Sequence, residues 1–327
     1  MMRVQRYFAR WEALLLAFLA AAFVFGTTMS EYFLTASNVS IAIAAFMPTA
    51  IVALSMTLII ITGEIDISVG SIIGLCAAVM GLCLEQGMPM AMAIPISVLV
   101  GALAGLGNGI MVAYVGLPSL VVTVATLALY RGIAQILLKE RGVTDFPEWY
   151  SNLGFGTIGH SPIPWTLLVF IFLAVLFAVY LHATRWGRAL YAIGNNREAA
   201  RFSGIDVKRT MLGLFVTSGV MCSVAAIILT AYLASARADT AVGFELQVVT
   251  AVVLGGVSIF GGSGTLGGVA IALFVLAFVQ NALGLAGVAP EAQQIATGGV
   301  LIVTLIVFSA ARFLRTHAST RRLRGLA

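Results

Sequence analysis

Two carboxylates stand out in a chain that otherwise avoids charge. Glu64 and Asp66 sit two apart in Gly63-Glu64-Ile65-Asp66-Ile67-Ser68-Val69-Gly70-Ser71, between long apolar stretches. Paired carboxylates suit acid–base work or proton coupling, and they are costly in lipid. The same residues suit a helix break. Glycines let the backbone turn, and Asp66 or Ser68 can bond the amides so released. The break is the favoured reading, because no other feature supplies a pocket for proton chemistry. A second run, Gly255-Gly256-Val257-Ser258-Ile259-Phe260-Gly261-Gly262-Ser263-Gly264, loosely resembles the first. Corresponding glycine-interrupted segments in two halves of a transporter can mark its transport site. Arg131, inside an apolar stretch, is a third candidate, either functional or held by a carboxylate such as Glu245 or Asp239.

Several other chemistries have no residues to carry them. No phosphate-binding P-loop motif occurs, so the chain is not expected to use ATP by itself. There is no paired-histidine metal motif and no nucleophile–base pair for an intramembrane enzyme. Cys76, Cys83 and Cys222 lie in apolar runs, are odd in number with no CxxC pair, and read as small buried residues. His160, His182 and His317 lack metal-ligand spacing.

The elements that must position these residues are membrane helices. Of 327 residues, 61% are hydrophobic and 9% charged, whereas a soluble domain carries about 25% charged residues. Most of the surface therefore does not face water. Apolar runs predict an all-α integral membrane protein, a single domain with about ten spans near 13–29, 41–62, 68–84, 90–115, 118–138, 164–183, 211–234, 246–261, 264–286 and 293–312. Gly101, Gly105, Gly107, Gly109, Ser119, Thr123 and Thr126 suit close helix packing or a polar pathway.

Charge predicts the orientation. Arg3, Arg6 and Arg10 precede the first span. Arg185, Arg188, Arg197, Arg201, Lys208 and Arg209 follow the sixth, and Arg312, Arg315, Arg321, Arg322 and Arg324 follow the tenth. These clusters share one side if both termini are cytoplasmic, and the net charge of +5 then reflects the positive-inside bias, not nucleic-acid binding. Residues 13–312 would be embedded and 313–327 would form a basic cytoplasmic tail. The loop 139–163 would face out. Trp11 and Trp186 would mark the inner interface, and Trp149 and Trp165 the outer one. The alternative for the first span is a cleaved signal peptide, which would leave nine spans.

The loop 184–210 has its own signature. Asn195 can cap a short helix, with Glu198 reaching back as in a capping box, and Gly204 suits the left-handed residue that ends it. That helix would present Ala199, Ala200, Phe202 and Ile205 to another protein's groove.

At this point the residues resemble a known family. Residues 63–70 resemble the glycine–acid–serine signature of ribose-type sugar permeases of ATP-binding-cassette importers. Gly105-Leu106-Gly107-Asn108-Gly109, then Pro118-Ser119-Leu120-Val121-Val122-Thr123, Ala125-Thr126-Leu127 and Arg131-Gly132 agree in the same order. So do Gly194-Asn195-Asn196 through Ala199-Ala200 and Ser203-Gly204-Ile205, and Ala251-Val252-Val253-Leu254-Gly255-Gly256 through Gly261-Gly262. One departure is Glu64, where the signature commonly carries Gly; this puts in doubt a turn needing positive φ at that position.

The resemblance implies two permease subunits, identical or paired with a sibling, two cytoplasmic ATPases that use ATP and magnesium, and a periplasmic sugar-binding protein in a bacterial inner membrane. This chain would bind no cofactor. Asn195, Glu198, Ala199, Ala200, Ser203, Gly204 and Ile205 would form the coupling helix that docks on the ATPase. Gly63, Asp66, Ser68, Gly70, Asn108, Ser119, Thr123, Thr126, Arg131, Gly255, Gly256, Gly261 and Gly262 are the candidates for the pathway and its helix breaks. The cargo would be a monosaccharide: a rhamnose-type deoxyhexose, a pentose or the furanosyl autoinducer. The alternative is an ion-coupled secondary sugar transporter using Glu64 and Asp66.

Overall fold

The computed structural model describes residues 2–306 except 140 and 160, with side chains from Trp11 onward. The basic tail therefore lies outside the described residues. In chain order the helices are α1 (Met2–Met29), α2 (Ala36–Ile61), α3 (Val69–Glu85), α4 (Met90–Ile110), α5 (Ser119–Leu138), α6 (Glu148–Phe155), α7 (Trp165–Ala183), α8 (Arg185–Asn195), α9 (Arg197–Phe202), α10 (Val207–Leu233), α11 (Phe244–Leu254) and α12 (Leu266–Leu285). A π-helical turn, Met111–Val115, extends α4 and stops at Gly116 in the left-handed region. A last helical stretch covers 290–306 and overlaps the expected span 293–312, starting three residues earlier; the end of that span lies outside the described residues.

Seven of these helices are long and apolar enough to cross a membrane: α1, α2, α4 with its π turn, α5, α7, α10 and α12. One expected span comes out shorter: α3 keeps its expected 17 residues, one position along, whereas α11, expected over 246–261, has 11 and ends at Leu254. Their lengths follow from the non-helical connectors 62–68 and 234–243 beside them. Arg131 lies 12 residues beyond Ser119 on α5, about 18 Å at 1.5 Å per residue. Yet Ser119 bonds Ile65 while Arg131 bonds Gly70, in the first turn of α3. The first connector thus climbs along α5, and α3 begins inside the bundle.

α2 is the core. It packs against α10, α7, α11 and α12, and its residues from Phe46 to Ile61 are buried. α4 and α10 make the most intimate crossing. Gly101, Gly105 and Gly219 sit directly against the facing backbone, where a Cβ would collide with carbonyl oxygens of the partner helix. Small residues let two backbones approach this closely in a membrane. α1 lies along α12, with the Trp11 indole donating to the Leu254 carbonyl (3.0 Å) and Thr265 donating to Glu12 (3.2 Å). The loop 139–163 contains α6, whose buried Tyr150 donates to the Ile227 carbonyl (2.8 Å) near the end of α10. α9 sits at the opposite end, just before α10 starts.

Candidate functional site

The connector between α2 and α3 turns at Gly63, which has φ of 81°. The left-handed residue is therefore Gly63 and not position 64, so a glutamate there carries no backbone strain. Deeper in, Asp66 and Ser68 are fully buried. Asp66 Oδ1 accepts from the Ser68 amide (3.0 Å) and the Ser68 hydroxyl (2.6 Å), and Oδ2 accepts from Ser218 on α10 (3.2 Å). Asn108 on α4 donates to the Ser68 hydroxyl (2.9 Å), and the Tyr130 hydroxyl on α5 donates to Asn108 Oδ1 (3.3 Å) and the Ala104 carbonyl (2.9 Å). The backbone of Ile65 is satisfied from α5: its amide donates to Ser119 (3.2 Å), and its carbonyl accepts from Thr123 (3.5 Å). Thr126 turns back to its own helix at the Thr123 carbonyl (3.4 Å). One carboxylate and six side-chain hydroxyl or amide groups from four elements thus hold an unwound segment inside an apolar bundle. This is the condition under which non-helical backbone survives at such depth.

This arrangement assigns Asp66 to helix-break duty and gives a direct expectation. Asp66→Asn keeps an oxygen for the two Ser68 donors, and its amide can donate to Ser218. It should cost less than about 1 kcal/mol, whereas Asp66→Leu, which strands these groups, should cost about 3 kcal/mol. Melting of the purified protein in detergent checks this; equal losses would mean that the charge, and not the bonds, matters.

Arg131 clamps carbonyls, and neither of its candidate carboxylates, Glu245 or Asp239, forms an ion pair with it. Its guanidinium donates to Ala238 (2.7 Å), Thr240 (2.8 Å) and Gly70 (3.1 Å). Asp239 is taken by Arg237 (2.9 Å), which holds its carboxyl below the usual range. Glu245 lies against Gly70, and Arg131 against Gly74, where any side chain would collide with them. Gly74, unnoticed in the sequence, is thus part of the clamp. The connector 234–243 meets the first turn of α3 at this arginine.

The second glycine run closes the other end of α2. Gly262 donates its amide to the Ile61 carbonyl (2.8 Å). Gly256, Gly261 and Gly262 all have φ near 80–90°. A Cβ at Gly261 would press on Gly63 and Gly194, one at Gly262 on Asn195, and one at Gly255 on α12 at Val269. Both glycine runs therefore meet at the end of α8. There Asn195 donates to the Tyr191 carbonyl (2.7 Å) and the Gly262 carbonyl (3.3 Å), and Tyr191 donates to the Gly264 carbonyl (2.8 Å).

The expected short helix is α9, with two corrections. Its cap is Asn196, whose side chain accepts from the Ala199 amide (2.9 Å), so Glu198 falls one residue short of a capping box. Ala200 is buried against the bundle, not presented outward, while Ala199, Phe202, Ser203 and Gly204 are exposed. Gly204 ends the helix with φ of 84°: Gly204 donates to the Arg201 carbonyl (3.0 Å) and Ile205 to the Ala200 carbonyl (3.1 Å), the two bonds of a Schellman ending. The preceding α8, capped by Thr184 and absent from the expectation, buries Gly187, Leu190 and Ile193. Arg197, the first residue of α9, forms an ion pair with Glu64 (2.7 Å). No cluster of three or more His, Cys, Asp or Glu side chains able to hold a metal occurs among the described residues.

Comparison with known proteins fits a transport role for this arrangement. Residues 38–305 match a family described as branched-chain amino acid transport system / permease component. The autoinducer 2 import system permease protein LsrD of Yersinia pseudotuberculosis serotype O:3 is 36% identical over 302 residues, 90% of each chain. LsrD of Yersinia pestis strain Pestoides F is similar to the same extent. No solved structure matches. Matched by this family over most of its length, the chain belongs to the permease components of ATP-binding-cassette importers and is a multi-pass subunit of the bacterial inner membrane with no catalysis of its own.

Proposed function

We propose that this chain lines one half of the pathway of an ATP-driven importer for a small sugar-like solute, with autoinducer 2 as the first candidate and rhamnose-type deoxyhexoses and pentoses next. The similarity to autoinducer 2 import permeases along nine-tenths of both chains carries this reading. An importer permease works with an ATPase and a solute-binding protein. ATP and magnesium are used on the ATPase, and the second permease is a copy of this chain or a sibling. The chain crosses the membrane about ten times with both termini cytoplasmic, and α9 is the helix on which the ATPase acts. The permease then contributes different affinities in inward- and outward-open states, not bond chemistry. Asp66, Ser68, Asn108, Ser119 and Thr123 shape the break beside the pathway. The ion-coupled alternative is disfavoured, since Glu64 is engaged by Arg197 and Asp66 by three hydrogen bonds.

Uptake into vesicles carrying the permease with its ATPase and binding protein tests the reading. ATP-dependent accumulation of autoinducer 2, exceeding that of rhamnose, ribose and leucine, is the expected result. Preferred uptake of leucine would overturn the sugar assignment. Uptake that needs no ATP and collapses with an uncoupler would overturn the importer.

A further inference from the structure

We infer that Glu64 is a positioning residue that ties α9 to the α2–α3 connector, so that movement of α9 is passed to the helix break through the Glu64–Arg197 pair. The inference rests on the importer reading. The two groups are 133 positions apart in sequence and 2.7 Å apart in space. The Glu64 side chain is 14% exposed and that of Arg197 49%. The pair is thus sheltered on the connector side and open on the α9 side.

Its surroundings make the pair a strut. A cavity of about 710 Å³ lies beside it, between α9, the start of α10 and the Val112–Pro118 turn. Neighbouring side chains leave this space open, so on this side α9 is not wedged against the bundle. The pair forms part of the cavity wall, and it is the ion pair that joins α9 to the connector among the described residues. Three residues beyond Glu64, Ile67 leads into Ser68, and Asp66 holds Ser218 of α10. A displacement of Arg197 therefore reaches the buried network through one short stretch of chain. A glycine at position 64 has no side chain with which to make this link, so the connection belongs to chains that carry an acid here.

The test uses membranes containing the whole importer and a cysteine in the connector, Ile67→Cys. The native Cys76, Cys83 and Cys222 are buried, so thiol labelling reads the new site. Labelling rates are compared without nucleotide and after trapping with ATP and vanadate. The rate should change by about fivefold, the lower end of ordinary coupling between sites. In Glu64→Gln the change should shrink to less than about twofold, and the charge swap Glu64→Arg with Arg197→Glu should restore it. The swap guards against variants that merely unfold. Full nucleotide dependence in Glu64→Gln, no recovery in the swap, or no dependence in the parent would each overturn the inference. Failure of the substrate assignment would instead appear in the uptake assay and leave this labelling unchanged.

Discussion

Gly204→Val is expected to abolish ATP-driven uptake while the protein still reaches the membrane in normal amount. The cost is not steric crowding from neighbours, because nothing lies within 4 Å of where a Cβ would stand. It is the backbone. At φ of 84° a β-branched residue is strained by about 1–3 kcal/mol. α9 has only six residues, and its ending rests on the two hydrogen bonds that this conformation permits. So short a helix is marginal without its caps. Losing one end should let α9 unwind and remove the surface proposed to meet the ATPase. The spans lie elsewhere and still insert. Gly204→Asn, which tolerates the left-handed region better, should retain a substantial part of the activity. Co-purification of the ATPase and uptake are measured side by side. Wild-type values for both in Gly204→Val would remove α9 from the coupling role.

Arg131→Ala should be the most destabilising single arginine replacement in the bundle. It withdraws the donors to the Ala238 and Thr240 carbonyls and the contact to Gly70. Two charge-assisted bonds of this kind are worth about 3 kcal/mol or more, because buried carbonyls are then left unpaired. The loss falls where the connector 234–243, which has no helical hydrogen bonds to fall back on, meets the first turn of α3. Arg131→Lys should recover only part, since one ammonium cannot reproduce the fork. Arg141→Ala is the control. Its pair to Glu85 is 3.8 Å long and exposed, worth roughly 0–1 kcal/mol. Arg315→Ala, in the basic tail, is a second. Melting in detergent and uptake are the readouts, and equal behaviour of Arg131→Ala and the controls would make Arg131 a bystander.

What the sequence determined by itself was local. Long apolar runs fixed where helices must form, because backbone groups in lipid have no partner but their own helix. α5, α7 and α12 accordingly begin and end within two residues of their expected positions. Gly204 as a helix end was legible, since only one residue type takes a left-handed φ without strain. The register of the cap was not. Asn195 and Asn196 have the same chemistry, and only the docking of Asn195 on Gly262 leaves the capping duty to Asn196. The tertiary structure also decided the length of α11, the carbonyl partners of Arg131, the inward facing of Ala200 and the pairing of Glu64 with Arg197. Each depends on contacts between segments distant in sequence. Helices that are apolar all round carry no periodic signal of which face meets which neighbour, so these contacts become definite only when the bundle is packed.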